Sequence, residues 1–137
     1  MSKQKENFII IGAMKSATGT MHHVLDRHPE IAMSLGKEIN YFLKGEDGST
    51  FEPNYEDNFD LNVETKLLGE ASPRYSMSEF VKNVPSRIFE ELPNASIFYQ
   101  IRNPIDRMVS HYLHLIRSNP SVGDFYDTVK NLSLIHI

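Results

Sequence analysis

The segment FIIIGAMKSATGT, residues 8–20, constrains the fold more than any other stretch of the chain. Phe8 to Ile11 is an unbroken apolar run rich in β-branched residues, the pattern of a strand buried on both faces of a parallel sheet. It passes directly into small residues and then into a helix. A parallel sheet presents backbone N–H groups and a helix start to an anion in this way. Gly12, Ala13, Ser16, Ala17 and Gly19 are small enough for close backbone approach, and the helix is predicted to begin near Thr18. Lys15 adds a full charge, while Ser16, Thr18 and Thr20 add hydroxyl donors. The Walker pattern G-x-x-x-x-G-K-[ST] puts lysine directly after its second glycine, whereas Lys15 stands four residues before Gly19. The geometry is shared in kind; the motif is not. Taken alone, the loop reads equally well as a tight turn with a solvated lysine.

The remaining chain alternates strands and helices. Met21, Val24 and Leu25 recur at helical spacing before Pro29, KLLGEAS (66–72) reads as a second strand, and residues 76–91 read as a helix around Phe80, Val84, Ile88 and Phe89, with a break or fresh start at Pro85. ASIFYQIR (95–102) is a third strand, also read as buried. A helix follows it, capped by Asn103, with Pro104 first, Asp106 in its opening turn and an apolar stripe of Ile105, Met108, Val109, Tyr112 and Ile116. A last short helix is predicted over 122–133. GKEINYF (36–42) and the acidic 46–62 read as loop. The alternation predicts an α/β fold: a P-loop-like three-layer arrangement with a central parallel sheet and flanking helices.

At 137 residues the chain is the size of one domain, and the whole of 1–137 is read as a single, partial one. Three strands are few for such a sheet, and the chain closes on the apolar LSLIHI, so the expectation is a domain truncated at its carboxy end. The net charge of −4 gives no global field for nucleic acid, so an anion site has to be local. The sequence has no cysteine, which excludes disulfides and thiolate metal sites, and it has neither a signal-like start nor an apolar run of membrane-spanning length. These features predict a soluble, cytoplasmic protein.

A second anion site is encoded in YQIRNPIDRMVSHYLH (99–114), where Arg102 leaves a strand and Ser110 lies about two turns into the following helix. KSATGT, KEINYF and IRNPIDRMVSHY, in that order, resemble the sulfotransferases that use 3′-phosphoadenosine 5′-phosphosulfate (PAPS), above all the carbohydrate branch with the heparan sulfate enzymes and their bacterial relatives. The resemblance runs from Phe8 to about His114. It implies that Lys15, Ser16, Ala17, Thr18, Gly19 and Thr20 surround the 5′-phosphate and sulfuryl group, with Lys15 neutralising charge on the bridging oxygen. It implies that Arg102 and Ser110 hold the 3′-phosphate. An arginine fork and a hydroxyl are suited to that task. Glu38 aligns with the family's general base, and Lys37 beside it would meet the sulfuryl group or an acidic acceptor. GEASPRY (69–75) resembles the segment beside the acceptor cleft, with Ala71 where many members carry lysine, Arg74 supplying charge and Tyr75 stacking on a sugar.

The loop departs from the family form at two positions. Ala17 replaces a glycine, and Gly19 replaces a hydroxyl residue, with Thr20 one position later. No metal is expected, since the histidines, His111 and His114 included, bring no third ligand. The expected reaction is transfer of a sulfuryl group from PAPS to a hydroxyl or amine of an acceptor, a carbohydrate for preference. Two alternatives stand beside it: a nucleotide-binding fragment without catalysis, and a kinase-like phosphotransferase with a degenerate loop.

Overall fold

A computed structural model describes residues 5–44, 53–77 and 82–133. Four strands, β1 (Glu6–Gly12), β2 (Ile31–Met33), β3 (Leu67–Ala71) and β4 (Ser96–Tyr99), form one parallel sheet in the order β2-β3-β1-β4. The helices are α1 (Thr18–Leu25), α2 (Val84–Glu91), α3 (Pro104–Ser118) and α4 (Phe125–Ser133). The α/β parallel architecture expected from the sequence is the one observed. It contains one more strand than predicted, because β2 is only three residues long and carries no readable period. Phe80, placed in the predicted 76–91 helix, lies outside the described residues, and α2 starts afresh at Val84 with Pro85 in its first turn.

The apolar run of β1 divides between two faces. Ile9 turns to a core with Leu68, Tyr41, Phe42, Leu43, Tyr55, Phe59, Tyr75, Val84 and Ile88, whereas Phe8 and Ile10 pack with Met33 and Ala71 on the other side. The first core is aromatic. Tyr41, Phe42, Tyr55 and Tyr75 meet with ring centroids 5.0 to 5.8 Å apart, mostly edge to face. Each such pair contributes roughly 0.5–1.5 kcal/mol beyond area burial. This packing draws the 310 turn Tyr41–Leu43 into the interior and brings the segment just before it, including Glu38, against the sheet. On the second face, Gly69 lies opposite Phe8 in the ladder and leaves room for its ring; a Cβ there would stand 2.1 Å from the Phe8 ring.

The third predicted strand is not buried as expected. Ile97, Phe98 and Tyr99 of β4 are 48%, 54% and 51% exposed, although Phe98 still meets Phe8 edge to face at 6.0 Å. β4 is an edge strand, and α3 packs chiefly against α4, so Ile105 and Val109 of its apolar stripe are exposed too. An open apolar groove of about 940 Å³, lined by Phe8, Ile10, Met21, Leu25 and Phe98 among others, runs along this face. The start of α3 is built as the sequence indicated: Asn103 Oδ1 accepts the N–H groups of Ile105 (3.0 Å) and Asp106 (3.3 Å). Among the described residues no helix is long and apolar enough to cross a membrane.

Candidate functional site

The loop after β1 is tied to the end of β4. Gln100 N–H donates to the Gly12 carbonyl at 2.7 Å, and Ala13 N–H donates to the Gln100 carbonyl at 2.8 Å. Lys15 and Ala17 then take left-handed backbone conformations, with φ of 65° and 64°, on either side of Ser16. Alternation of this kind turns successive N–H groups toward a common anion. Ala17 occupies the cap position of α1 and makes no side-chain cap hydrogen bond. The first-turn N–H groups of α1 therefore present their partial positive charge without a side-chain acceptor at the cap. The Ser16 side chain is buried (2% exposed), and its hydroxyl has no hydrogen-bond partner among the described residues. A buried orphan hydroxyl beside uncapped N–H groups matches the demands of a phosphate. Thr18 is buried at the helix start, whereas Thr20 is exposed.

Arg102 reaches the same loop. One Nη of its exposed guanidinium donates to the Lys15 carbonyl at 3.3 Å, so the two predicted anion segments meet directly. Ser110 is half-buried on α3, about two turns from its start, and no hydrogen bond joins it to Arg102.

Lys37 and Glu38 reach the loop from the other direction. The Glu38 N–H donates to the Ala71 carbonyl at the end of β3 (3.2 Å), and its carboxylate pairs with the Lys37 ammonium. The Lys37 stem lies over Gly19: a Cβ on that glycine would stand 2.9 Å from Lys37 Cε. The departure at Gly19 thus makes room for Lys37, whose ammonium accompanies Glu38 to the first turn of α1. Glu38 and Asn40 both have positive φ, 60° and 52°. Non-glycine residues hold that conformation at a cost, and so need outside support.

Tyr75 is not a sugar platform. Its ring is buried (5% exposed) against Phe42, and its hydroxyl accepts the Phe42 N–H at 3.0 Å. The Pro73–Ser76 turn folds this side chain inward, and Arg74 beside it stays half-buried. His22 is a packing histidine, its Nε2 3.1 Å from the Ser34 carbonyl. The sequence reading also missed Glu70, which is fully buried in β3 and faces the hydroxyls of Tyr75, Ser72 and Tyr55. Burial pushes its carboxyl up to about 7, against the pull of those hydroxyls. The same burial, together with the Glu70 carboxylate, raises Tyr55 and Tyr75 above the ordinary tyrosine range. A lone acid inside the otherwise apolar LLGEA was the available signal.

No protein-family model matches the chain. It is 36% identical over 107 residues to the membrane-associated sulfotransferase kil1 of Dictyostelium discoideum, covering 77% of this chain and 22% of that protein. To the human bifunctional heparan sulfate N-deacetylase/N-sulfotransferase 2 it is 32% identical over 121 residues, covering 78% of this chain and 12% of the relative. A crystal structure of a sulfotransferase from Alicyclobacillus acidocaldarius shares the fold with a TM-score of 0.74 at 28% identity, over 90% of this chain and 55% of that one. The chain thus spans about half of that bacterial protein and less than a quarter of the two curated relatives.

Proposed function

We propose, from the premise that this chain belongs to the sulfotransferase family, that its site transfers a sulfuryl group from PAPS to a hydroxyl or amine of a carbohydrate. Lys15, Ser16 and the N–H groups of residues 17–20 hold the 5′-phosphosulfate. Arg102, with Ser110, holds the 3′-phosphate that distinguishes this donor from ordinary adenine nucleotides. Glu38 takes the acceptor's proton as the new S–O bond (S–N for an amine) forms, and the S–O bond to the donor phosphate breaks, leaving 3′-phosphoadenosine 5′-phosphate. Lys15 offsets the charge that grows on that leaving oxygen. In-line transfer of this kind depends on positioning and charge stabilisation, with a base for the acceptor. The carbohydrate acceptor is the class to which the name of the human relative points.

One observation carries the reading: Arg102 donates to the carbonyl of Lys15, so cations from the ends of β1 and β4 can grip one nucleotide carrying phosphate at both positions. Calorimetric titration of the 137-residue chain with 3′-phosphoadenosine 5′-phosphate and with AMP tests it. Tighter binding of the 3′-phosphorylated ligand, by tenfold or more for an arginine-held phosphate, is the expected result. Equal affinity for the two ligands would remove Arg102 from the site and PAPS from the proposal.

A further inference from the structure

Glu70 is a buried acid that the transfer chemistry leaves without a task. It lies in β3 opposite Ile9 of β1, with none of its surface exposed. A carboxyl in such a place costs several kcal/mol unless polar groups attend it. The hydroxyls of Tyr75, Ser72 and Tyr55 face it closely enough to favour its ionised form, although neither carboxylate oxygen makes a formed hydrogen bond among the described residues. Beyond them, ionisable groups in the same neighbourhood include Tyr41, Glu91, Asp57 and Lys44.

Two of the three hydroxyls have a second contact. Ser72 Oγ accepts the Asn40 N–H at 3.2 Å, and the Tyr75 hydroxyl accepts the Phe42 N–H at 3.0 Å. With the bond from Glu38 N–H to the Ala71 carbonyl, these are alternate N–H groups of one segment, all tied to the end of β3. Each hydroxyl that accepts from the segment keeps one proton to donate, and Glu70 is the acceptor it faces. The segment includes both positive-φ residues, Glu38 and Asn40.

We propose that Glu70 is a positioning residue: by orienting the hydroxyls of Ser72 and Tyr75, it fixes the backbone of Glu38–Phe42 and thereby aims the Glu38 carboxylate. The consequence for turnover rests on the sulfotransferase reading, while the backbone anchoring stands apart from it. Amide hydrogen exchange of the 137-residue chain, parent against Glu70→Gln, separates the two. Glutamine keeps the shape but turns an NH2 toward a hydroxyl that needs an acceptor. Exchange at Asn40 and Phe42 should accelerate about three- to tenfold, the value of one lost hydrogen bond, while the amides of Gly19 to His22 keep parent rates. Turnover should drop with the affinity for 3′-phosphoadenosine 5′-phosphate unchanged.

Tyr75→Phe is the second variant, since it keeps the ring in the core. It should accelerate Phe42 by itself, and adding Glu70→Gln to it should then accelerate Phe42 less than Glu70→Gln does in the parent. Parent rates at both amides in Glu70→Gln would overturn the proposal, and so would uniform acceleration across the chain, which marks a purely structural role. Selective acceleration in a chain that transfers no sulfuryl group would uphold the anchoring and overturn the proposed function instead.

Discussion

Burying Glu70 makes the stability of the fold depend on pH. Its folded pKa of about 7 lies above the ordinary carboxyl value of 4.5, with burial as the main cause. Between those two values the folded chain holds a proton that the unfolded chain has released, so stability falls as pH rises. The favourable contribution is complete below the unfolded value and is lost as pH passes through the folded one. At 1.36 kcal/mol per unit, the interval corresponds to a loss of about 3 kcal/mol, a large share of the 5–15 kcal/mol that typically holds a domain together. Glu70→Gln carries no proton to lose, so its stability should not follow this slope. Urea unfolding of parent and variant at intervals from pH 4.5 to 8 provides the assay, with the difference between the two curves isolating Glu70 from every other group. The variant should gain on the parent by about 3 kcal/mol across that window, with the difference levelling off above pH 7. Parallel curves would refute the reasoning, since they require a Glu70 carboxyl that ionises alike in the folded and unfolded chains.

Other perturbations test other parts of the structure. Glu38→Gln should lower sulfuryl transfer by at least about a hundredfold and leave 3′-phosphoadenosine 5′-phosphate affinity unchanged by calorimetry; undiminished turnover would take Glu38 out of the reaction. Ala17 holds φ 64° with a Cβ, so Ala17→Gly should relieve more strain than it adds to unfolded-chain entropy. The expected gain is up to about 1 kcal/mol, or a Tm rise of a few degrees by thermal unfolding. Gly69→Ala should cost about 1–3 kcal/mol in urea unfolding, because its new methyl overlaps the Phe8 ring across the ladder.

The local features were legible because their causes are local. The β1 run, the small-residue loop and the Asn103-Pro104 cap each need only neighbouring residues to form, and each stands where the sequence put it. What was missed depends on partners distant in sequence. Nothing in PRY shows which way Tyr75 turns; that is decided by Phe42, 33 positions away. Gly19 read as a lost phosphate donor, and only the folded chain reveals the Lys37 stem that uses its space. The β4 sequence promised burial, but burial of an edge strand depends on what packs over it, and β4 is left half-exposed.

The topology explains why these pieces converge. After β1 the chain lays down β2 at one edge, returns inward to place β3 between β2 and β1, and then crosses β1 to lay down β4 on the other side. The direction of strand addition reverses at β1, and ligands of open parallel sheets bind outside the carboxyl ends of strands at such a reversal. Four of the candidate cations and bases follow carboxyl ends near that point or are tied to them. Lys15 follows β1, and Arg102 follows β4 and donates to Lys15's carbonyl. Glu38 is bonded to the end of β3, with Lys37 bridging from it to Gly19. A site assembled from the ends of three strands is only as well aimed as its least regular member, and here that is the 38–42 segment, with no strand of its own and two left-handed residues. The buried Glu70 cluster sits directly beneath that segment's anchors, so the fold spends its costliest buried group where regular structure gives the site the least support.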